Sequence, residues 1–190
     1  MAGFEPAASC FQGKHSTQTE LHPDINTFMF RTLSVLLLCG CSTVSNLQSS
    51  KDPLPVDTAV ALYGLNEKYH REELKKLTGI DPRHYEWCAA FVNSMLALHH
   101  IPGSESVSQH PLTARSFLKW GEPTIEPEYG DIVILTRGTA GWQGHVGFYI
   151  DTVYIDGIKK ILVLGGNQNN QVGFDEYNAS RLLGYRKIPQ

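Results

Sequence analysis

The chain has 190 residues, which is enough for one domain with a substantial core and too few for two large domains. Its formal net charge is -3, and acidic and basic residues are mixed along the sequence with no run of Lys and Arg. Nucleic-acid-binding proteins concentrate positive charge in a patch or segment, so this composition argues against a nucleic-acid partner.

An export signal is predicted at residues 29–41. Arg31 precedes a short apolar core that ends in Leu38-Cys39-Gly40-Cys41. This core is too short to span a bilayer as a mature helix, so the pattern favours a signal peptide. Its last four residues resemble a bacterial lipobox, in which the final cysteine, here Cys41, receives lipid and becomes the new N-terminus. We therefore expect an exported bacterial lipoprotein held at a membrane surface by that lipid; a plain signal peptide or a buried helix is the alternative.

The segments on either side of this signal differ from a folded domain. Residues 1–28 are polar and lack hydrophobic periodicity, and we expect translation to begin at Met29, which would make the upstream stretch non-native. Residues 42–56 are rich in Ser and end in prolines, which predicts a flexible tether. Ser42 after the lipidated cysteine resembles the outer-membrane sorting pattern, so we expect an outer-membrane protein facing the periplasm if the host has two membranes.

Residues 57–190 are predicted to form one domain in which helices come first. The third predicted helix carries the clearest apolar stripe, with an i, i+3, i+4, i+7, i+8 spacing that begins at Cys88 and ends at Leu96. The first two predicted helices cover residues 57–65 and 67–77. The third begins near Trp87 and stops before Ile101-Pro102-Gly103, and the fourth covers residues 113–120.

The second half of the domain has the period of β-strands. Alternation from His145 to Ile150 places His145, Gly147 and Tyr149 on one face of a strand and Val146, Phe148 and Ile150 on the other. Asp156-Gly157 is a hairpin signal. Helices followed by antiparallel strands indicate an α+β fold. The predicted strands cover residues 131–135, 145–150, 160–164, 171–174 and 183–187.

Cys88 is the only cysteine of this predicted domain, because the others are Cys10, Cys39 and Cys41. It has no intradomain partner for a disulfide, and a zinc site made of several cysteines is excluded. Its place in the first turn of a helix favours the thiolate, because unpaired N–H groups there stabilise negative charge and can also hold an oxyanion. The alternative is a buried structural cysteine.

Two further residues complete a candidate catalytic trio. His145 begins a strand between glycines, where it can reach the helix start and act as a base. Asn167 follows Gly165-Gly166 and is a candidate to orient the imidazole, as the third residue of a Cys-His-Asn site does. A structural histidine and a turn asparagine are the alternatives.

The segments around these residues resemble the CHAP (cysteine- and histidine-dependent amidohydrolase/peptidase) domains of the papain-like group, which includes the NlpC-type cell-wall hydrolases. The resemblance covers nearly all of residues 57–188, favours a subgroup carried by phages and bacteria, and implies an α+β fold with N-terminal helices packed on an antiparallel sheet. The matching segments, in family order, are residues 86–93 (EWCAAFVN), 130–133 (GDIV), 141–149 (GWQGHVGFY), 164–168 (LGGNQ) and 183–186 (LGYR).

This resemblance implies hydrolysis of an amide bond in peptidoglycan, by an N-acetylmuramoyl-L-alanine amidase or an endopeptidase, with no metal or cofactor. It implies that Cys88 is the nucleophile, His145 the general base and acid, and Asn167 the orienting residue, although many CHAP domains have a carboxylate in this third place. The predicted substrate contacts are Trp87, Trp142 and Gln168, with core packing as the alternative for at least one tryptophan.

Two other functions remain open at this point. A papain-like acyltransferase or transpeptidase would pass the acyl group to an amine instead of water. A non-catalytic lipoprotein domain that binds the cell wall would not need an ordered Cys, His and polar trio.

Overall fold

The structure is a computed structural model that describes residues 52–189. The predicted signal and lipobox, and most of the predicted tether, lie outside the described residues. Three helices come first, α1 (Pro55–Ala61), α2 (Arg71–Thr78) and α3 (Cys88–Leu98). They precede a six-stranded antiparallel sheet, so the predicted α+β papain-like architecture is confirmed. None of the helices within residues 52–189 has the length and apolarity needed to cross a membrane.

Helices α1 and α2 differ from the predicted ranges at their ends. Helix α1 begins two residues before the predicted boundary, because Pro55 suits a first turn and the Asp57 carboxylate accepts a hydrogen bond from the Leu54 N–H at 2.8 Å. Helix α2 begins later than predicted, because Asn66 accepts hydrogen bonds from the N–H groups of the next residues and forms a turn. It ends at Gly79, whose φ of 73° is the left-handed conformation of a helix C-cap.

Helix α3 is the central helix of the domain and packs against the middle of the sheet. Its predicted apolar stripe is buried, and so are the small residues Ala89 and Ala90, which bring its first turn close to the strands. Residues 104–106, 114–119 and 179–181 form short 3₁₀ helices. The second of these stands in place of the helix predicted at 113–120.

The sheet is larger than predicted. Its strands are β1 (Glu122–Thr124), β2 (Ile132–Thr136), β3 (Gly144–Ile155), β4 (Ile158–Gln168), β5 (Gln171–Asn178) and β6 (Leu182–Lys187). They lie in the order β1-β6-β2-β3-β4-β5. The two longest strands, β3 and β4, form a hairpin whose turn residues Asp156 and Gly157 have φ of 51° and 74°, as expected for a type I′ turn. The first strand was missed, because a three-residue segment containing proline has no readable period.

The two faces of the sheet contact different groups of side chains. Val146 and Phe148 of β3 belong to the main core beneath the helices, whereas Tyr149 belongs to a smaller cluster on the opposite face. The predicted alternation along this strand is therefore confirmed. Burial on both faces explains why the central strands are almost entirely apolar.

Candidate active site

Cys88 is the first residue of α3 and lines a cavity of about 430 Å³. The cavity lies between the start of this helix, the 3₁₀ helix at residues 114–119, and the loop 137–143 that joins β2 to β3. Arg115 fixes one wall by donating a hydrogen bond from Nε to the Gln143 carbonyl at 2.7 Å. Cys88 is only 3% exposed, and this cavity is lined in part by it.

Burial raises the pKa of the Cys88 thiol above its ordinary value. Three contributions lower the pKa and oppose this effect only in part: the backbone groups of Val146 and Ala89, and the positive charge of Arg137. The helix start was expected to favour a resting thiolate, but desolvation is the larger effect. Cys88 is therefore a neutral thiol at neutral pH, and it needs a base to become a nucleophile.

His145 is the second residue of β3 and directly precedes Val146, whose backbone lowers the pKa of Cys88. Its side chain is almost completely buried, and its ring lies 5.2 Å from that of Tyr177, centroid to centroid. Burial lowers the pKa of His145 to about 4, although the hydrogen bond to Gln168 acts in the opposite direction. The imidazole is therefore uncharged at neutral pH and available to accept a proton.

The side chain of Gln168 determines the tautomer of His145. Its Nε2 donates hydrogen bonds to the carbonyls of Val163 and Gly173, so its Oε1 must face the imidazole, and an amide oxygen can only accept. The His145 Nε2 atom, 2.9 Å from this oxygen, must therefore carry the ring proton. In a neutral ring Nδ1 is then the basic nitrogen.

A family model of the CHAP domain matches residues 80–167. The chain carries a CHAP domain. The match includes Cys88, His145 and Asn167, the three residues of the predicted trio. CHAP domains are generally cysteine- and histidine-dependent amidohydrolases of the peptidoglycan hydrolase group. No curated protein matches the chain.

Asn167, the predicted orienting residue of this CHAP domain, does not contact the imidazole. Its Nδ2 donates a hydrogen bond to Glu86 Oε2 at 2.6 Å, and its backbone is left-handed with a φ of 58°. The cause is a bulge in β4, where the pairing with β5 shifts between Gly165 and Gln168. Gln168 therefore takes the place beside His145 that the sequence assigned to Asn167. Gln168 is only 2% exposed, which corrects its predicted role as a substrate contact.

The predicted substrate-binding tryptophans have different environments in the CHAP domain. Trp87 is completely buried, donates from Nε1 to Glu67 at 2.8 Å, and packs edge-on against Phe91, so it is a core residue rather than a substrate contact. Trp142 is 71% exposed and lines the Cys88 cavity. Its contact with substrate stays a prediction.

Arg137 and Tyr177 are two residues near the site that sequence reasoning missed. Arg137 lies in a glycine-containing loop and forms an ion pair with Glu86 across the cavity, with 2.7 Å between Nη1 and Oε2. Tyr177 donates a hydrogen bond to Gln168 Oε1 at 3.1 Å. Neither residue stands in a motif, and both reach the site only through chain folding.

Proposed function

We propose that the protein is a peptidoglycan hydrolase that cleaves an amide bond, as an N-acetylmuramoyl-L-alanine amidase or an endopeptidase. Cys88 is its nucleophile and His145 its general base and acid. The observation that carries this proposal is the buried thiol in the cavity wall, next to a strand whose histidine has a defined basic nitrogen. The CHAP match supports peptidoglycan as the substrate.

The first half of the reaction forms a thioester. As the Cys88 sulfur attacks the amide carbonyl carbon, its proton passes to Nδ1 of His145. The tetrahedral intermediate then collapses, the C–N bond breaks, and the imidazolium gives its proton to the leaving amine. Because both groups rest uncharged, proton transfer accompanies the attack and does not precede it.

The second half of the reaction releases the acid. Nδ1 of His145 accepts a proton from water as the water oxygen attacks the thioester carbonyl. Collapse of this second intermediate breaks the C–S bond, and the thiol regains its proton from the imidazolium. No step of this scheme calls for a metal or a cofactor.

The first turn of α3 supplies the proposed oxyanion site. The first N–H groups of a helix lack intrahelical partners, and Trp87, which precedes α3, provides no side-chain cap for them. The backbone of Ala89, in this turn, lowers the pKa of Cys88. We assign the Cys88 N–H as the oxyanion donor, because it belongs to the attacking residue and stands at the positive end of the helix.

Gln168 is proposed as the residue that positions His145, in place of Asn167. Its side chain is fixed by two backbone carbonyls and by Tyr177, so it has little freedom to follow the imidazole. A fixed acceptor keeps the proton on Nε2 and Nδ1 available to the thiol. Trp142 is proposed to contact the substrate at the wall of the cavity, because a large exposed aromatic ring suits a sugar or peptide surface.

The test is mass spectrometry of the soluble fragments released from purified peptidoglycan. Fragments with newly formed carboxyl and amine ends are expected from the unaltered protein and not from Cys88→Ala or His145→Gln. His110→Gln is the matched control, because His110 is exposed and its ring makes no hydrogen bond within residues 52–189. If Cys88→Ala releases fragments as the unaltered protein does, Cys88 is not the nucleophile.

The same assay separates the other functions. An acyl product that carries an added free amine, formed in preference to the acid, would indicate a transpeptidase. Binding to walls of several crosslink types without any released fragment would indicate a wall-binding domain.

We also propose that the protein is exported and anchored through lipid on Cys41, with the outer membrane as its location in a host that has one. A tether at a membrane would hold the enzyme near its polymeric substrate at high effective concentration. Labelling cells with an alkyne fatty acid should mark the protein, and Cys41→Ser should abolish the label while Cys39→Ser retains it. Equal labelling of both variants would contradict lipid attachment at Cys41.

A further inference from the structure

The ion pair between Glu86 and Arg137 lies at the junction of two cavities. Both residues line the cavity of about 430 Å³ that contains Cys88, and both line a second cavity of about 280 Å³. The second cavity continues past Arg83 and Asn170 on the surface. A substrate that extends from the thiol into the second cavity must therefore pass this ion pair.

The pair is accessible and easily broken. The side chain of Arg137 is 41% exposed and that of Glu86 is 72% exposed, so water screens their attraction. Exposed pairs of this kind contribute little to the stability of a folded protein. Their contact is therefore no obstacle to an incoming anion that offers Arg137 the same kind of oxygen.

Arg137 has unused hydrogen-bonding capacity. A guanidinium carries five N–H donors in a planar fork that matches a carboxylate. Within residues 52–189, its side chain donates only to Glu86, and through one nitrogen. The Glu86 oxygen that accepts this bond also accepts one from Asn167 at 2.6 Å, so Glu86 has a second partner when Arg137 is withdrawn.

The position of Arg137 relates it directly to the reacting bond. Arg137 lines the same cavity as Cys88, and its positive charge acts on both Cys88 and His145. It also lies in the loop that follows β2 and forms one wall of the Cys88 cavity. A group bound by Arg137 would therefore sit beside the amide that the thiol attacks.

We propose that Arg137 is a specificity-determining residue that binds a free carboxylate of the peptidoglycan stem peptide. Glu86 occupies the place of that carboxylate while no substrate is bound. This inference rests on the proposed function, because it takes peptidoglycan as the substrate. A carboxylate receives charge-assisted hydrogen bonds from the guanidinium, whereas an amide at the same position is uncharged and offers only one oxygen. The enzyme should therefore discriminate between stem peptides with free and with amidated carboxylates.

The test measures binding by calorimetry, so it does not depend on turnover. All proteins carry Cys88→Ala, and the ligands are two soluble muropeptides that differ only in whether their stem carboxylates are free or amidated. We expect the free-carboxylate ligand to bind about tenfold or more tightly, a ratio typical of a lost charged hydrogen bond. Adding Arg137→Gln should reduce this ratio to within about twofold, with the affinity for the amidated ligand changed by less than about threefold.

Two further variants test whether Glu86 competes with the ligand and whether the preference is specific to Arg137. Glu86→Gln should tighten binding of the free-carboxylate ligand, because it removes the competing anion. Lys159→Gln makes the same change in net charge at an exposed site on β4, and it should leave both affinities unaltered. If Lys159→Gln lowers the ratio as much as Arg137→Gln does, the preference is a long-range charge effect and the proposal is overturned.

Other outcomes also overturn the proposal, and they are distinguishable from failure of the proposed function. Equal affinities for the two ligands, or an equal loss of both affinities in Arg137→Gln, would exclude carboxylate binding by Arg137. If the protein with Cys88 intact still releases fragments from peptidoglycan, only the carboxylate site fails. If neither ligand binds and no fragment is released, the proposed function fails as well.

Discussion

The Nε2 atom of His145 lies 2.9 Å from the Oε1 atom of Gln168, 23 residues further along the chain. Gln168 belongs to the neighbouring strand β4, and its amide nitrogen is committed to two backbone carbonyls. This contact decides that Nε2 of the neutral imidazole holds the proton, so Nδ1 is the nitrogen that can accept one.

Replacing Gln168 with Leu should lower kcat for peptidoglycan by at least about tenfold, because His145 loses the acceptor that fixes its tautomer. The KM should change much less, since the Gln168 side chain is buried away from substrate. Gln109→Leu is the matched control at an exposed site. Steady-state kinetics on soluble muropeptides checks this. A rise in KM with kcat unchanged would place Gln168 in substrate binding instead.

The stability of the protein should depend on pH through His145. Its pKa is lowered to about 4 in the folded state, so between about pH 6.5 and pH 4 the unfolded chain binds a proton that the folded chain does not. The contribution of His145 to the free energy of unfolding is therefore fully present above this range. It is lost as the pH falls through the range, by up to about 1.4 kcal/mol per pH unit.

Urea unfolding at pH 7, 6 and 5 measures this slope. His145→Gln should show a shallower slope than the unaltered protein, whereas His110→Gln should match the unaltered protein. Burial raises the pKa of Asp131, so this residue makes stability change with pH in the opposite direction. All three proteins contain Asp131, so its contribution cancels when their slopes are compared. Identical slopes in all three proteins would contradict a buried, neutral His145.

Alkylation of Cys88 by iodoacetamide should accelerate with pH across the range from 6 to 9. Burial raises the pKa of this thiol, so the reactive thiolate grows about tenfold per pH unit until that pKa is reached. Mass spectrometry of the peptide containing Cys88 follows the rate without interference from other cysteines, and the urea-unfolded protein is the reference. A rate that is constant between pH 5 and 8 would instead indicate a resting thiolate-imidazolium pair.

Gly166→Ala should destabilise the protein by about 1–3 kcal/mol, the usual cost of overpacking a core. A Cβ atom at Gly166 would lie 2.5 Å from the Trp87 ring and 2.7 Å from the Phe91 Cβ. Gly141→Ala is the control, because a Cβ atom there meets nothing within 4 Å. Urea unfolding of both variants at pH 7 provides the comparison. Equal stability of the two variants would mean that the contact between β4 and α3 can relax.

Local patterns were sufficient to predict most of the secondary structure. The stripe of α3, the turn at Asp156-Gly157 and the alternation along β3 each depend on residues close in sequence, and the structure has all three. Helix ends were less predictable. Helix α2 begins at Arg71 and not at residue 67, because the side chain of Asn66 forms a turn with the backbone that no period reveals.

Local periodicity is enough to predict that Cys88 starts the main helix and that His145 lies at the start of a central strand. Which residues surround these two depends on how the strands pair and pack. The bulge in β4 brings Gln168 to His145 and Asn167 to Glu86, and a bulge depends on pairing between strands. Burial of Cys88 and His145 outweighs the charges near them, and desolvation is a property of packing that no segment of sequence contains.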